Sequence, residues 1–146
     1  MEFYIRSGEA GASAAMGTIR RIASLLPATP TLVTPCLMED WCLGAAQTVG
    51  LQRMDSQWQR QVKKGDHCIF LELRQEDNRH ISDFRRRGIA VLGALEASRL
   101  CDRRYRKLLR KCDAVLAPDT ASYCRAKKLG LRRVFFLTEE NDEGTS

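Results

Sequence analysis

Short apolar runs alternate with amphipathic segments along the second half of the chain. Four apolar runs have the length and composition of β-strands: 66–73, 89–95, 113–117 and 133–137. Three segments between them repeat apolar residues at helical spacing: 78–87, 97–111 and 120–129. Strands that alternate with helices in this way are typical of βαβ units, whose helices cover the faces of a parallel sheet. The pattern predicts an α/β fold, a three-layer Rossmann-like sandwich with a mostly parallel sheet.

The first half of the chain fits the same scheme less cleanly. Its spacing predicts three elements: strand 3–5, helix 12–26 and strand 31–34. Residues 35–65 are the hardest part to interpret, and their apolar spacing favours two helices, over 38–49 and 54–62. We leave the role of this region open.

Length and patterning predict a single cytoplasmic domain. A chain of 146 residues has the size of one domain, and no repeat or linker divides it. We expect a Rossmann-like domain over 1–138 and a frayed acidic tail over 139–146. No run approaches the 18 apolar residues of a membrane span. The N-terminus lacks the basic-then-apolar order of a signal peptide, which predicts a cytoplasmic location.

The net charge of +6 is unevenly distributed along the chain. Residues 1–73 are neutral, with seven basic and seven acidic side chains, whereas residues 74–138 carry 17 basic and 7 acidic ones, a net of +10. Residues 139–146 contribute −4. This asymmetry predicts a basic surface on one side of the domain and an acidic tail able to screen it.

The predicted helix over 97–111 carries the densest group of basic residues. At 100° per residue, four arginines fall within about 60° of one another opposite its apolar stripe: Arg99, Arg103, Arg106 and Arg110. Lys107 widens this face. We interpret it as a binding face for an acidic protein or a nucleoprotein complex, and a solvated helix face is the structural alternative. Direct nucleic-acid binding is less favoured because few aromatic residues are interleaved with the arginines. Assembly into a homo-oligomer is left open.

Three carboxylates lie at the ends of predicted strands: Glu72, Glu96 and Asp119. Ligands of parallel α/β sheets bind outside the carboxyl ends of the strands, where a carboxylate can act as a general base toward a hydroxyl group. Glu72 and Glu96 are therefore candidate catalytic residues. Structural explanations compete, because Asp119 has the position of a helix N-cap and the helix dipole favours an acidic residue at a helix start, as at Glu96.

The first predicted strand leads into a turn that contains Gly8, Glu9 and Gly11 and precedes a helix. Backbone N–H groups at a helix N-terminus can hold an anion such as a phosphate. The spacing, however, matches neither G-x-G-x-x-G nor a P-loop, and Glu9 would repel an anion. A tight strand-to-helix turn is the favoured interpretation, and the sequence predicts no cofactor.

Six cysteines, at positions 36, 42, 68, 101, 112 and 124, raise the question of disulfides or a zinc site. No C-x-x-C pair is present, and His67 and His80 lack ligand spacing, so no metal site is predicted. Cys68 lies inside an apolar run, and the three cysteines after it fall on or near apolar helix stripes. We expect reduced, buried cysteines that pack as small hydrophobic residues.

Three segments carry a resemblance to a known family: IAVLGALE at 89–96, CDAVLAPD at 112–119 and KLGLRRVFFL at 128–137. This half of the chain resembles the second half of the N-terminal Rossmann-like domain of GT-B glycosyltransferases. The resemblance implies an acceptor-binding side and a pair of catalytic carboxylates. The acceptor-binding residues would be Gly8, Glu9, Gly11 and Asp119, and the catalytic pair Glu96 and Glu72.

The chain also departs from the family pattern. In the family a C-terminal domain chiefly holds the nucleotide-sugar donor, and its glutamate-rich motif has no counterpart here. Glu96 stands where the family usually has histidine or a polar residue. We therefore expect an acceptor-side domain without catalysis of its own, which works through a partner protein such as a separate donor subunit. The alternative is a small non-enzymatic inhibitor, of the kind encoded by phages or mobile elements, whose basic face docks on an acidic or nucleoprotein host complex.

Overall fold

A computed structural model describes residues 1–7, 16–34, 50–53 and 58–137, and for Met16 and 50–53 the backbone alone. These residues hold seven strands: β1 (Phe3–Arg6), β2 (Thr31–Thr34), β3 (Gly50–Arg53), β4 (His67–Phe70), β5 (Ala90–Ala94), β6 (Ala114–Ala117) and β7 (Val134–Phe136). They hold four α-helices: α1 (Met16–Leu25), α2 (Asp77–Arg86), α3 (Arg103–Lys111) and α4 (Thr120–Lys128). Within this part of the chain, no helix is long and apolar enough to cross a membrane.

The strands form one sheet in the order β3-β2-β1-β4-β5-β6-β7, and every neighbouring pair is parallel. Ile5 of β1 lies beside Leu32 of β2 on one side and Ile69 of β4 on the other. The chain runs outward from β1 to β3, returns to β4 and then runs outward in the opposite direction. The predicted parallel, Rossmann-like α/β fold is confirmed.

Helices cover both faces of the sheet and so form three layers. On one face, Ile19 and Ile22 of α1 belong to the same buried apolar cluster as Ile5. On the other face, α2, α3 and α4 contribute buried side chains to a larger cluster, among them Phe84 and Tyr105. Full burial of a large apolar side chain stabilises a fold by about 1.5–3 kcal/mol, so these two clusters hold the helices to the sheet.

The helix predicted over 120–129 begins and ends where the sequence indicates. The carboxylate of Asp119 accepts a hydrogen bond of 2.7 Å from the backbone N–H of Ser122 and so caps α4. Gly130 follows the helix with a φ of +91°, a left-handed conformation that glycine adopts without strain. Gly88 ends α2 in the same way, with a φ of +83°.

The helix predicted over 97–111 is wrong in its first part. Ala97–Arg99 form a 3₁₀ turn, and α3 begins only at Arg103. The carboxylate of Asp102 caps α3 by accepting a hydrogen bond of 2.9 Å from the backbone N–H of Arg104. An N-cap residue has extended backbone angles, as Asp102 does here, and this interrupts the helix. Arg99 therefore lies outside the helix that carries the other basic residues.

The helix predicted over 54–62 is wrong where the structure describes it, from residue 58 onward, and 54–57 lie outside the described residues. Trp58–Gln61 form a 3₁₀ turn, in which the Trp58 ring packs edge-on against Phe70 and Phe84. Before it, Gly50–Arg53 form a strand that pairs with β2 at the edge of the sheet. The pattern predicts no strand there, because Gly-Leu-Gln-Arg does not alternate apolar and polar residues. The other predicted helix, over 38–49, and the acidic tail over 139–146 lie outside the described residues.

Candidate functional site

The reversal of strand order brings the carboxyl ends of β1 and β4 together. β1 ends at Arg6, and the loop 71–76 follows β4. The backbone N–H of Leu71 donates to the carbonyl of Arg6 at 3.0 Å, so the two ends are directly linked. Open α/β sheets bind ligands at such a reversal. We therefore expect a ligand-binding site at the carboxyl edge of the sheet.

Arg6 is the central buried charge at this edge. Its Nη2 donates to the Asp77 carboxylate at 2.7 Å and to the backbone carbonyl of Glu72 at 2.9 Å. The guanidinium carbon lies 4.9 Å from the ring centroid of Phe70. Sequence reasoning missed Arg6 and Asp77, although a charged residue that ends the apolar run of β1 is a signal of an internal partner. Arg6 ties β1 to the loop that carries Glu72.

Glu72 lies in the loop 71–76, where its carboxylate is partly exposed. Its Oε1 is 3.1 Å from Nη2 of Arg74. The backbone N–H of Arg74 in turn donates to Asp77 at 2.8 Å. This chain of contacts fixes the direction of the Glu72 carboxylate while leaving part of it open to solvent.

Glu96 follows β5 and is joined to the same loop by Arg99. Nη1 of Arg99 donates to the carbonyl of Leu73 at 2.6 Å and lies 3.4 Å from Oε2 of Glu96. The guanidinium carbon stacks 4.1 Å from the ring centroid of Tyr105. The Tyr105 hydroxyl accepts a hydrogen bond of 2.8 Å from the backbone N–H of Glu96, and burial raises its pKa to about 12. Arg99 thus holds the Glu96 and Glu72 loops together.

Asp119 lies in the loop after β6, so the three predicted carboxylates do share one edge of the sheet. Hydrogen bonds from the backbone and side chain of Ser122 hold the pKa of the Asp119 carboxyl below its usual value. Its capping contact accounts for its position. The predicted acceptor-binding residues Gly8, Glu9 and Gly11 lie outside the described residues.

The structure divides the predicted basic face into two groups. Arg99 and Arg106 turn toward the protein, Arg99 as described above and Arg106 by donating to the carbonyl of Leu100 at 2.7 Å. Arg103 and Lys107 are exposed and have no ion pair among the described residues. Arg99 and Arg106 are therefore less exposed than Arg103 and Lys107, and their part in a partner-binding face stays a prediction. Arg99 differs from the others because 97–111 is not one continuous helix.

Exposed basic residues of α4 extend what remains of this face. Arg110 donates to the carbonyl of Leu129, just after α4, at 3.1 Å, and Nη2 of Arg125 lies 3.2 Å from Sγ of Cys101, just before α3, so each helix contacts a segment that flanks the other. We define the basic surface by six exposed residues: Arg103, Arg104, Lys107 and Arg110 of α3, with Arg125 and Lys128 of α4.

The three arginines at the end of α2 are instead paired within the domain, with two carboxylates between them. Arg85 pairs with Asp113 at 3.2 Å, and Asp83 pairs with both Arg86 at 2.8 Å and Arg87 at 3.1 Å. The basic residues of the second half therefore do not form one uniform field. The unpaired positive charge is concentrated on α3, on α4 and just before β7.

The cysteines only partly follow the sequence interpretation. Cys68 and Cys112 are buried, whereas Cys101 and Cys124 are exposed, and these four are all free thiols. Cys101 is exposed because it lies in the break before α3 rather than on a helix stripe. Cys36 and Cys42 lie outside the described residues. Among the residues that the structure describes, no cluster of three His, Cys, Asp or Glu side chains could hold a metal ion.

Comparison with known proteins adds no relative to this description. No protein-family model, no curated protein and no solved structure matches the chain. The resemblance to GT-B N-terminal domains stays a prediction.

Proposed function

We propose that the chain is a binding protein whose basic surface docks on an acidic partner, a protein or a nucleoprotein complex. The main support for this proposal is the exposed positive charge on α3. Arg103, Arg104 and Lys107 have no ion pair among the described residues, whereas Arg85, Arg86 and Arg87 at the end of α2 are each paired with a carboxylate. A domain that neutralises one group of arginines internally leaves the other group available to a partner.

The physical basis of docking is long-range electrostatics. Six like charges on two adjoining helices create a positive potential, which speeds encounter with a negatively charged surface and weakens as salt is added. A surface of this kind contributes to association rate and to partner choice more than to affinity. The helices pack on the sheet through buried residues such as Leu108 and Ala126, so the core fixes the position of the two helices that carry this surface.

A matched pair of charge reversals tests this proposal. The double variant R103E/K107E reverses two residues of the basic surface, and K63E/K64E reverses two exposed lysines outside it. Both variants change the net charge equally. Binding to fluorescent polyglutamate and to duplex DNA is measured by anisotropy at roughly 50 and 200 mM salt. We expect R103E/K107E to weaken polyglutamate binding about tenfold or more, with K63E/K64E within about twofold of wild type.

Two outcomes would count against docking. Equal losses in both variants would mean that net charge alone attracts the probe, and no binding by the wild type would leave the basic surface a solvated helix face. Binding to duplex DNA that is much tighter than binding to polyglutamate would favour direct nucleic-acid recognition instead.

A second candidate function is the acceptor side of a GT-B-like sugar transferase that acts with a partner subunit. One observation favours it: Glu72 and Glu96 lie in neighbouring loops at the carboxyl edge, linked by Arg99 and each partly exposed. Two oriented carboxylates at the reversal of strand order could bind sugar hydroxyls, and one of them could accept a proton.

Sugar titrations test this second candidate. Nucleotide sugars and free sugars are titrated against the labelled protein, alone and with any co-encoded subunit, and amide shifts are followed by NMR. Shifts in the loops after β4 and β5 that E72Q/E96Q abolishes would support it. Glu76 is exposed in the same region, so E76Q serves as the control. No binding under any of these conditions would eliminate the candidate.

A further inference from the structure

A cavity of about 500 Å³ opens at the amino-terminal edge of the sheet, opposite the carboxylates. It lies where α3 and α4 end and where β6 and β7 begin. Its walls come from eleven residues, among which are Leu109 at the end of α3, Asp113 before β6 and Gly130 after α4. Its volume falls within the range of small-molecule sites, roughly 300–1,000 Å³.

Positive charge dominates the walls of this cavity. Four arginines line it against a single carboxylate, Asp113: Arg85, Arg110, Arg132 and Arg133. Two of the arginines are already engaged, because Arg85 pairs with Asp113 and Arg110 donates to the carbonyl of Leu129. The side chains of Arg132 and Arg133 are exposed and have no hydrogen bond or ion pair among the described residues.

The helix ends reduce this positive charge without cancelling it. α3 and α4 both direct their C-terminal carbonyls toward this edge, and each helix C-terminus carries about −0.5 of an elementary charge. Together they offset about one of the four arginines, and Asp113 offsets another. About two positive charges remain, which matches the two guanidinium groups of Arg132 and Arg133 that have no partner in the described part of the chain.

We propose that this cavity binds the phosphate group of a small phosphorylated molecule. A phosphate monoester carries close to two negative charges at neutral pH, and the planar guanidinium group matches phosphate oxygens in a bidentate manner. Leu109, Val115 and Leu131 line the cavity but are almost completely buried. They therefore offer little apolar surface to a ligand, and a polar ligand such as a sugar phosphate or nucleotide monophosphate suits the walls best.

This site goes beyond the proposed docking function, because it binds a small ligand in a cavity rather than a macromolecule on a helix surface. Arg132 and Arg133 are not part of the basic surface. The two proposals can therefore fail separately: polyglutamate binding depends on α3, and phosphate binding depends on the segment before β7.

The experiment titrates the isotope-labelled full chain with inorganic phosphate, AMP and a short single-stranded oligonucleotide, at low salt, by NMR. AMP is expected to shift amide signals of 113–115 and 130–133 most strongly. R132Q/R133Q is expected to weaken AMP binding at least about tenfold. K63Q/K64Q removes the same charge from exposed residues outside the cavity and is expected to leave binding within about twofold.

Any of three results would overturn this proposal. Absence of AMP and phosphate binding by the wild type removes the site. Equal weakening by the two double variants assigns the binding to net charge. Oligonucleotide binding that exceeds AMP binding and is insensitive to R132Q/R133Q identifies a nucleic-acid surface elsewhere. All four substituted side chains are exposed, so both double variants are expected to fold. Thermal unfolding of each variant checks this.

Discussion

The guanidinium group of Arg6 and the carboxylate of Asp77 form an ion pair of 2.7 Å in which both side chains are more than nine-tenths buried. Arg6 ends β1, and Asp77 opens α2, 71 residues further along the chain. The same carboxylate accepts the backbone N–H of Arg74 at 2.8 Å. One buried carboxylate thus holds together a strand end, a loop and a helix start at the carboxyl edge.

Asp77→Ala is expected to lower the free energy of unfolding by about 3–5 kcal/mol, because it leaves the charge of Arg6 buried without a partner. Urea denaturation followed by circular dichroism measures the change. The double variant R6M/D77A removes both charges and should be less destabilised than the sum of the single variants. Strict additivity in this double-mutant cycle would show that the two groups do not interact as described.

No local pattern predicts this ion pair, since hydrophobic periodicity carries no information about partners so distant in sequence. The elements from β4 to β7, by contrast, follow local sequence patterns. Continuous apolar strands, an Asp119 cap and glycines at helix ends specify them locally, so their order and type could be read from the chain. Strand β3 escaped prediction because its pairing with β2, rather than its composition, makes it a strand.

The candidate site was predictable only in outline. A parallel sheet brings Glu72 and Glu96 to one edge, and that follows from strand direction alone. The role of Arg99 depends on the break in the helix at Asp102. The apolar spacing of 97–111 continues through Asp102, so the sequence predicts one unbroken helix there. Carbonyl and carboxylate groups in other elements determine which arginines are exposed. The backbone carbonyl of Leu73, for example, holds Arg99 against the protein.

Arg99→Ala is expected to lower the free energy of unfolding by about 1–2 kcal/mol, since it removes a hydrogen bond to Leu73 and the stacking on Tyr105. Arg103→Ala on the exposed side of α3 should change it by less than about 0.5 kcal/mol. Urea denaturation of both variants makes the comparison. Similar losses, or a larger loss for Arg103, would contradict the division of the basic residues into inward and exposed groups.

Alkaline pH is expected to destabilise the fold through the buried thiol of Cys112, whose pKa burial raises from 9.0 to about 12. Below pH 9 both states hold the proton, and its contribution to stability is complete. Between pH 9 and 12 the unfolded chain loses the proton while the folded chain keeps it. The free energy of unfolding therefore falls with pH, by up to about 1.4 kcal/mol per pH unit from this group.

Cys112→Ala should flatten this pH dependence, and denaturant titrations at several pH values from 8 to about 11 measure the slope. The slope is compared rather than the stability itself, because removal of the sulfur also costs packing at every pH. The exposed thiol of Cys101 is the control, and Cys101→Ala should leave the slope unchanged. Equal slopes for wild type and Cys112→Ala would contradict the burial of a protonated thiol.

Gly93 lies in β5 close to side chains of α3 and of the loop after β4. A Cβ atom there would lie 2.9 Å from Cδ1 of Leu73 and 3.2 Å from Sγ of Cys112. Gly93→Ala is expected to lower the free energy of unfolding by about 1–2 kcal/mol. Overpacking costs about 1–3 kcal/mol, which exceeds the roughly 0.5–1 kcal/mol gained by replacing glycine in a strand. At Gly17 in the first turn of α1 an added Cβ would meet no atom of the described residues within 4 Å, so Gly17→Ala should stabilise the protein by up to about 0.5–1 kcal/mol through helix propensity. Thermal unfolding should show melting temperatures that move in opposite directions, and a Gly93→Ala variant as stable as Gly17→Ala would contradict the close packing of α3 on β5.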